Sequence, residues 1–117
     1  MSFKATTKLN TKEINRRFEK ATSQTQFFVD NEIIKDSNDF APQRETFLQS
    51  SAINHSKIGE GEVIWNTPYA RRLYYNPQFN FSKDLNPKAQ GLWFEAAKAQ
   101  KQKSWLQGAE KLFKSIF

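Results

Sequence analysis

The sequence of 117 residues contains no cysteine, one histidine and no long apolar run. Without cysteine the chain has neither a disulfide framework nor thiolate chemistry, which suits a reducing compartment. No stretch approaches the roughly 18 consecutive apolar residues that a membrane span requires, and residues 1–17 lack the apolar segment of a secretory signal. We therefore expect a protein that is made and used in the cytoplasm, with no membrane partner.

The side chains that catalysis needs are also scarce. His55 has no second histidine with which to bind a metal, and the carboxylates are scattered singly. The serines near His55 lack the glycines of a nucleophile elbow, and Gly59 and Gly61 are too few to form a phosphate-binding loop. These absences predict a protein that is not an enzyme, with no catalytic residue, no metal and no cofactor.

Aromatic rings and positive charge, by contrast, are plentiful. Phenylalanine alone accounts for 11 residues, and the net charge is +6. Because disordered chains are poor in aromatic residues, we expect one folded domain spanning residues 1–117. A core of this size needs fewer rings, so some of them should face a partner. The basic charge attracts polyanions and leaves a small nucleic-acid-binding protein open as an alternative, although no recognised binding motif accompanies it.

Two long helices are predicted, one near each end of the chain. Asn10 and Glu13 form the pattern of a capping box, and no glycine or proline interrupts the chain that follows, so the first helix should span about residues 11–37. The second should begin near Leu92, with a break near residue 103. The apolar stripes of the two helices consist of Ile14, Phe18, Ala21, Thr25, Phe28, Val29 and Ile33, and of Trp105, Ala109, Leu112 and Ile116.

Shorter elements are predicted between these helices. The segments "SSAINHS" and "EVIWN" flank "KIGEG", whose two glycines permit positive φ angles, so residues 50–66 should form a β-hairpin. Residues 3–9 are a candidate edge strand, and residues 43–49 a single helical turn. Thr67 and Pro68 have the N-cap and first-position pattern of a short helix with the sequence "YARRLYY".

The segment "WNTPYARRLYYNPQFNFS" (residues 65–82) concentrates aromatic rings and two arginines. Tyrosine, tryptophan and arginine dominate the energetics of protein interfaces. One interpretation is that Tyr69, Leu73 and one of the next two tyrosines pack inward and leave the arginines solvated. The other, equally open, is that the segment supplies an interface with another subunit or a partner. That hypothetical interface consists of Tyr69, Arg71, Arg72, Tyr74, Tyr75, Phe79 and Phe81.

The order of these motifs resembles a known family. A long helix, "FAPQRETFLQSS", a predicted strand pair, "VIWNTPYARRLYYNPQFNFS" and "NPKAQGLWFEAAKA" follow one another as in the minor capsid proteins of tailed phages that infect Gram-positive bacteria. That family is similar to the tail-completion, or head–tail joining, proteins of long-tailed phages. Relatives commonly carry Pro-x-Asp-Thr-Gly-x-Leu after the first helix. Here Pro42 and Leu48 are retained but residues 44–46 read Arg-Glu-Thr, which implies a different local turn at Thr46.

The resemblance, over about residues 10–115, implies an α+β fold in which the N-terminal and C-terminal helices pack on a small antiparallel β-sheet. It also implies a structural virion protein that joins the DNA-filled head to the tail, with no cofactor, by forming a ring at the neck. The partners would be the connector or stopper, the tail terminator or tail tube, and further copies of the chain, six of them if the ring follows the symmetry of phage tails. The lysines of the C-terminal helix would be solvated or would contact passing DNA weakly.

Overall fold

The computed structural model describes residues 10–42, 47–77, 81, 83 and 86–117, and this part of the chain contains four α-helices. They are α1 (Thr11–Asn38), α2 (Phe47–His55), α3 (Ala70–Tyr74) and α4 (Trp93–Ile116). Two predicted features, the edge strand at residues 3–9 and the changed turn at Thr46, lie outside the described residues. None of the helices described is both long and apolar enough to cross a membrane.

Helix α1 confirms its prediction to within one residue at its C-terminal end. The side-chain Oδ1 of Asn10 accepts a hydrogen bond from the backbone N–H of Glu13 at 3.0 Å, which satisfies one of the donors left open at a helix start. At the other end Phe40 N–H donates to the carbonyl of Ser37 at 3.0 Å, and Pro42 disfavours helix in the residue before it. The 28 residues of α1 span about 42 Å.

Helix α4 begins where the sequence predicts, but it has no break. Leu92 adopts a left-handed conformation (φ 49°) immediately before the helix, and its N–H donates to the carbonyl of Tyr74 at 2.9 Å. The predicted break near residue 103 is wrong, because α4 runs continuously from Trp93 to Ile116. Trp105 is buried, and its indole N–H donates to Asp36 of α1 at 2.6 Å, so packing on α1 holds the helix together across this point.

Helices α1 and α4 pack against each other in antiparallel orientation. At one end Phe18 lies edge-on to Phe113, with ring centroids 5.8 Å apart. In the middle the ring of Phe28 lies so close to Gly108 that an added Cβ would be 3.0 Å from it. The buried core lies toward the other end of the pair, where α2, α3 and the start of α4 meet the C-terminal part of α1. Its buried apolar members are Phe40, Ala41, Leu48, Ala70, Trp93, Ala97 and Trp105.

The predicted α+β architecture is wrong. Within the described residues the fold is mostly helical and has no β-strand. The first arm of the predicted hairpin belongs to α2, whose buried residues Leu48, Ser51 and Ala52 follow helical spacing rather than alternation. Of the helical turn predicted at residues 43–49, residues 47–49 are the start of this longer helix, and residues 43–46 lie outside the described residues. Its position is fixed by a non-local contact, because the side chain of Gln49 donates to the carbonyl of Asn38 at 2.8 Å.

The tight turn of the predicted hairpin does exist. Gly59 and Gly61 adopt φ angles of 94° and 82°, which L side chains rarely adopt. Lys57 and Glu62 form an isolated antiparallel bridge, in which Lys57 N–H donates to the Glu62 carbonyl at 2.9 Å. The glycines therefore predict the turn correctly, but no ladder extends from it in the described chain.

Candidate functional site

A cleft of about 640 Å³ opens beside α3. Helix α1 forms one wall, the turn at residues 57–62 and the extended segment after it form the second, and α3 with the start of α4 forms the third. The cleft lies directly over the buried core, so its floor consists of core aromatic residues. The residues that determine its chemistry are Asp30, Trp65, Arg71, Tyr74, Tyr75 and Trp93.

The floor is a set of aromatic rings packed edge to face. Trp93 is only 1% exposed, and its ring lies 5.9 Å from that of Trp65 and 4.8 Å from that of Tyr74, at interplanar angles of 73° and 86°. The indole N–H of Trp65 donates to Asn38 Oδ1 at 2.9 Å, which orients that ring. Edge-to-face packing is favourable beyond the area it buries, so the floor is a rigid apolar surface.

A buried carboxylate fixes the wall formed by the turn. Asp30, 2% exposed, accepts hydrogen bonds from the backbone N–H groups of Gly59 (2.8 Å) and Gly61 (3.0 Å) through the same oxygen. Its other oxygen accepts from the side-chain amide of Gln26 at 2.8 Å. These three hydrogen-bond donors offset the free-energy cost of burying the charged carboxylate. Asp30 thus connects α1 to the turn and sets the width of the cleft.

Close backbone packing holds α3 against the start of α4. A Cβ at Gly91 would lie 2.9 Å from the carbonyl oxygen of Leu73, so only glycine permits this approach. The phenolic O–H of Tyr74 lies 3.4 Å from a carboxylate oxygen of Glu95. Burial, together with the negative charge of Glu95, raises the pKa of Tyr74 to about 12. The phenol therefore stays protonated at neutral pH and serves as a packing group and a donor.

The seven residues of the hypothetical interface divide between core and surface. Tyr69 and Tyr74 are half-buried against the core cluster, and Phe81 is also half-buried. Arg71, Arg72 and Tyr75 are exposed, Tyr75 to 65%. The structure brings Arg71, Tyr74 and Tyr75 together in the cleft, whereas Phe79 lies outside the described residues. Whether these residues contact another subunit remains a prediction.

Two donors in the cleft have no acceptor within the described part of the chain. The indole N–H of Trp93 is buried and makes no hydrogen bond there. No carboxylate of a described residue pairs with the exposed guanidinium of Arg71. A cleft that combines an apolar floor with the exposed guanidinium of Arg71 is suited to an apolar group that brings its own acceptor.

The sequence indicated only part of this site. The sequence predictions place Trp65 in the ring-rich segment but not in the hypothetical interface, and they do not include Asp30 or Trp93 among the site residues. One signal for Asp30 was present, because it lies beside the apolar stripe of α1, between Val29 and Ile33. An acidic residue at the border of a core-facing stripe is usually paired when buried. Two of its partners are the backbone N–H groups of Gly59 and Gly61, 29 and 31 residues away, and the residue type does not indicate that a backbone N–H binds a distant carboxylate.

The described residues around the cleft supply apolar surface and a few polar groups. They contain no group of three or more histidine, cysteine or acidic residues that could hold a metal ion. The solitary His55 is exposed at the end of α2. The described residues that line the cleft are mostly aromatic or aliphatic, and the charged ones among them are Asp30, which is buried and accepts three hydrogen bonds, and Arg71.

Comparison with known proteins gives one match. A family model described as minor capsid protein matches residues 5–112. No curated protein and no solved structure matches the chain. The family match spans most of the chain and includes every element that surrounds the cleft. It confirms the resemblance indicated by the order of the motifs: the chain belongs to the phage minor capsid protein family and is a structural component of the virion.

Proposed function

We propose that this protein joins the phage head to the tail. In this role, copies of the chain form a ring at the neck, between the connector and the top of the tail, and contact themselves and the neighbouring neck and tail proteins. The ring is a hexamer if it follows the six-fold symmetry of the tail. The protein carries out no reaction and acts by burying surface against its neighbours.

The observation that carries this proposal is the distribution of exposed apolar side chains. Phe18 is 52% exposed at the end of the helix pair where α1 begins. Phe47 and Ile53 on α2 are 69% and 61% exposed and belong to the opposite end, because α2 is hydrogen-bonded to Asn38. The length of α1 from Phe18 to Asn38, twenty residues, places the apolar patch at Phe18 about 30 Å from the apolar patch at Phe47 and Ile53.

Two separated apolar patches favour contacts with more than one neighbour. Exposed large apolar groups on a soluble protein mark interaction sites when they cluster. A subunit inside a stack of rings is covered by neighbouring copies on its sides and by other proteins above and below. Contacts between unlike faces of the same chain generate a closed ring when the rotation between copies closes.

The basic character of α4 fits a ring through which DNA passes. The helix carries five lysines and two glutamates, and one glutamate, Glu110, pairs with Lys114 at 2.8 Å. Lys101 and Lys103 are exposed on the stretch between the two glutamates. We infer a weak, sequence-independent contact of this face with phosphates in the lumen.

The test is electron microscopy of particles made without this protein. Full heads and finished tails that remain separate are the expected result, and the wild-type gene supplied in trans should restore joining. A variant with Phe47→Ser and Ile53→Ser, both exposed positions, should fail to restore joining while keeping the wild-type melting temperature. A variant with Ser115→Ala, exposed on α4, is the matched control and should restore joining. Normal joined virions in the absence of the protein would refute the proposal.

A further inference from the structure

We propose that the cleft beside Arg71 binds a segment of a different neck protein, and that this segment presents an apolar side chain next to a carboxylate. The inference rests on the proposed neck function for where the partner is found. It adds which face of this chain the partner occupies and what chemistry it must carry.

The size and walls of the cleft fit one large apolar side chain with its adjoining backbone. Its volume of about 640 Å³ lies in the range of small-ligand pockets, roughly 300–1,000 Å³. The floor is the rigid set of Trp65, Tyr74 and Trp93. Tyr75, 65% exposed at the rim, is the kind of side chain that closes over an anchor residue at an interface.

The donors of the cleft specify the second part of the ligand. The guanidinium of Arg71 is exposed at the cleft and has no acceptor in the described chain, and the buried indole N–H of Trp93, beneath the floor, has none there either. Asp30, the one carboxylate among the described lining residues, already accepts from three N–H groups. A guanidinium binds a carboxylate through two parallel hydrogen bonds, which makes a carboxylate its best-matched partner.

Charge favours a different protein over a second copy of this chain. The chain carries a net charge of +6, so long-range electrostatics steers an acidic partner, and not a second copy, toward this cleft. The contacts proposed between copies in the ring rest instead on the exposed apolar side chains outside the cleft. An acidic partner is attracted both by the overall charge and by Arg71. Complementary charge of this kind also raises the association rate, which suits an ordered assembly in which the partner arrives from solution.

The geometry of the rings argues against nucleic acid as the occupant. Bases bind to aromatic residues by stacking on open ring faces. Here Trp93, the central ring of the floor, is only 1% exposed and offers no open face on which a base could stack. Among the described residues that line the cleft, Arg71 is also the single cation, whereas strands of DNA are held by several cations along the backbone.

A short synthetic peptide tests the chemistry directly. The probe is Ac-Ser-Asp-Phe-Asp-Ser-NH2, and its neutral counterpart carries asparagine in place of both aspartates. In ¹H–¹⁵N spectra of the full chain, the acidic peptide should shift a tryptophan indole signal saturably. It should bind about tenfold more tightly than the neutral peptide. Arg71→Gln should remove this difference, whereas Arg72→Gln, its exposed neighbour outside the cleft walls, should retain it.

Four outcomes would overturn the inference. In the peptide assay, these are equal binding of both peptides by the wild type, and an unchanged preference for the acidic peptide in Arg71→Gln at the wild-type melting temperature. The third is a self-association of the chain that depends on Arg71. The fourth is an Arg71-dependent shift of the same tryptophan indole signal when a twelve-nucleotide oligothymidylate is added.

Phage genetics separates this inference from the proposed function. Phage with Arg71→Glu should accumulate unjoined heads and tails, and suppressors should replace an acidic residue of another neck protein by lysine or arginine. Normal joining by Arg71→Glu, together with failed joining when the protein is absent, would refute the docking site and leave the neck function intact. Normal joining when the protein is absent would refute the neck function itself.

Discussion

The contact of Asp30 with the turn at Gly59 and Gly61 yields the sharpest stability prediction. Asp30→Ala removes the acceptor of three hydrogen bonds at once. A hydrogen bond to a charged group contributes about 1.5–3 kcal/mol, and the two glycine N–H groups partly regain water at the surface. We therefore expect Asp30→Ala to lower the free energy of unfolding by about 3–4 kcal/mol, a large share of the ~5–15 kcal/mol of a typical domain.

Asp30→Asn should be much milder because the acceptor geometry survives. Its amide oxygen can still accept from both glycine N–H groups, and its amide nitrogen can donate to the oxygen of Gln26 once that side-chain amide rotates. The loss is then mainly the charge, about 1 kcal/mol. For a chain of this length, 1 kcal/mol corresponds to about 4 °C, so the two variants should melt roughly 12–16 °C and 4 °C below the wild type.

The assay is thermal unfolding by circular dichroism together with hydrogen exchange of the two glycine amides. Exchange should accelerate at Gly59 and Gly61 in Asp30→Ala under native conditions, which ties the loss to this contact. Asp39→Ala is the control, because it removes an exposed acid one residue beyond α1 and should change stability by less than about 0.5 kcal/mol. Equal losses for the alanine and asparagine variants would refute the reasoning, and so would unchanged exchange at the two glycines.

Three further predictions concern the packing of α4. Gly91→Ala should lower the free energy of unfolding, measured by chemical denaturation, by about 1–3 kcal/mol, because the new Cβ would lie 2.9 Å from the carbonyl oxygen of Leu73 in α3. The control Gln100→Ala, an exposed change in α4, should leave this free energy almost unchanged. Equal losses in the two variants would refute the clash. Trp105→Phe should lower the free energy of unfolding by about 2–4 kcal/mol, because it leaves buried Asp36 without its indole donor. Part of this loss should disappear when Trp105→Phe is made in the background of Asp36→Asn. If the losses of the two single variants simply add in the double variant, the two side chains are not directly bonded. The pKa of Tyr74 is raised to about 12 from an ordinary value near 10, so its contribution to stability should be constant below pH 10 and decline as the pH rises through 12. In urea titrations the free energy of unfolding of the wild type, relative to that of Tyr74→Phe, should decline over this interval. A difference that stays constant would refute this prediction.

The two long helices were predictable because their signals are local. The Asn10 cap, the absence of glycine and proline and the apolar stripe of α1 all lie within the segment they determine. The same holds for the glycines of the turn, since a positive φ is a property of single residues. Where structure depends on neighbours in the chain, the sequence sufficed.

The errors arose where distant contacts decide. Residues 47–55 combine Ile53 with two serines, an asparagine and a histidine, residues without strong helix preference. Their helix is fixed by burial of Leu48 and by the contact of Gln49 with the end of α1. The predicted break before Trp105 is wrong for the same reason, because the hydrogen bond from the Trp105 indole to Asp36 joins residues 69 positions apart in the sequence. The sheet implied by the family resemblance has no counterpart in the described residues.

The ring-rich segment at residues 65–82 reconciles the two interpretations that the sequence left open. Trp65 and Tyr74 face inward and form the cleft floor, while Arg71 and Tyr75 remain at the rim. Variants should therefore fall into two classes.

Tyr74→Ala removes a ring packed 4.8 Å from Trp93, so it should cost about 3–5 kcal/mol and reduce head–tail joining through loss of the fold. Tyr75→Ala, at 65% exposure, should retain the wild-type melting temperature within about 2 °C and still reduce joining. Joining is scored by electron microscopy of complemented particles, and melting by circular dichroism. If Tyr75→Ala supports normal joining, the exposed rim is not a contact surface; if it unfolds the protein, the rim belongs to the core.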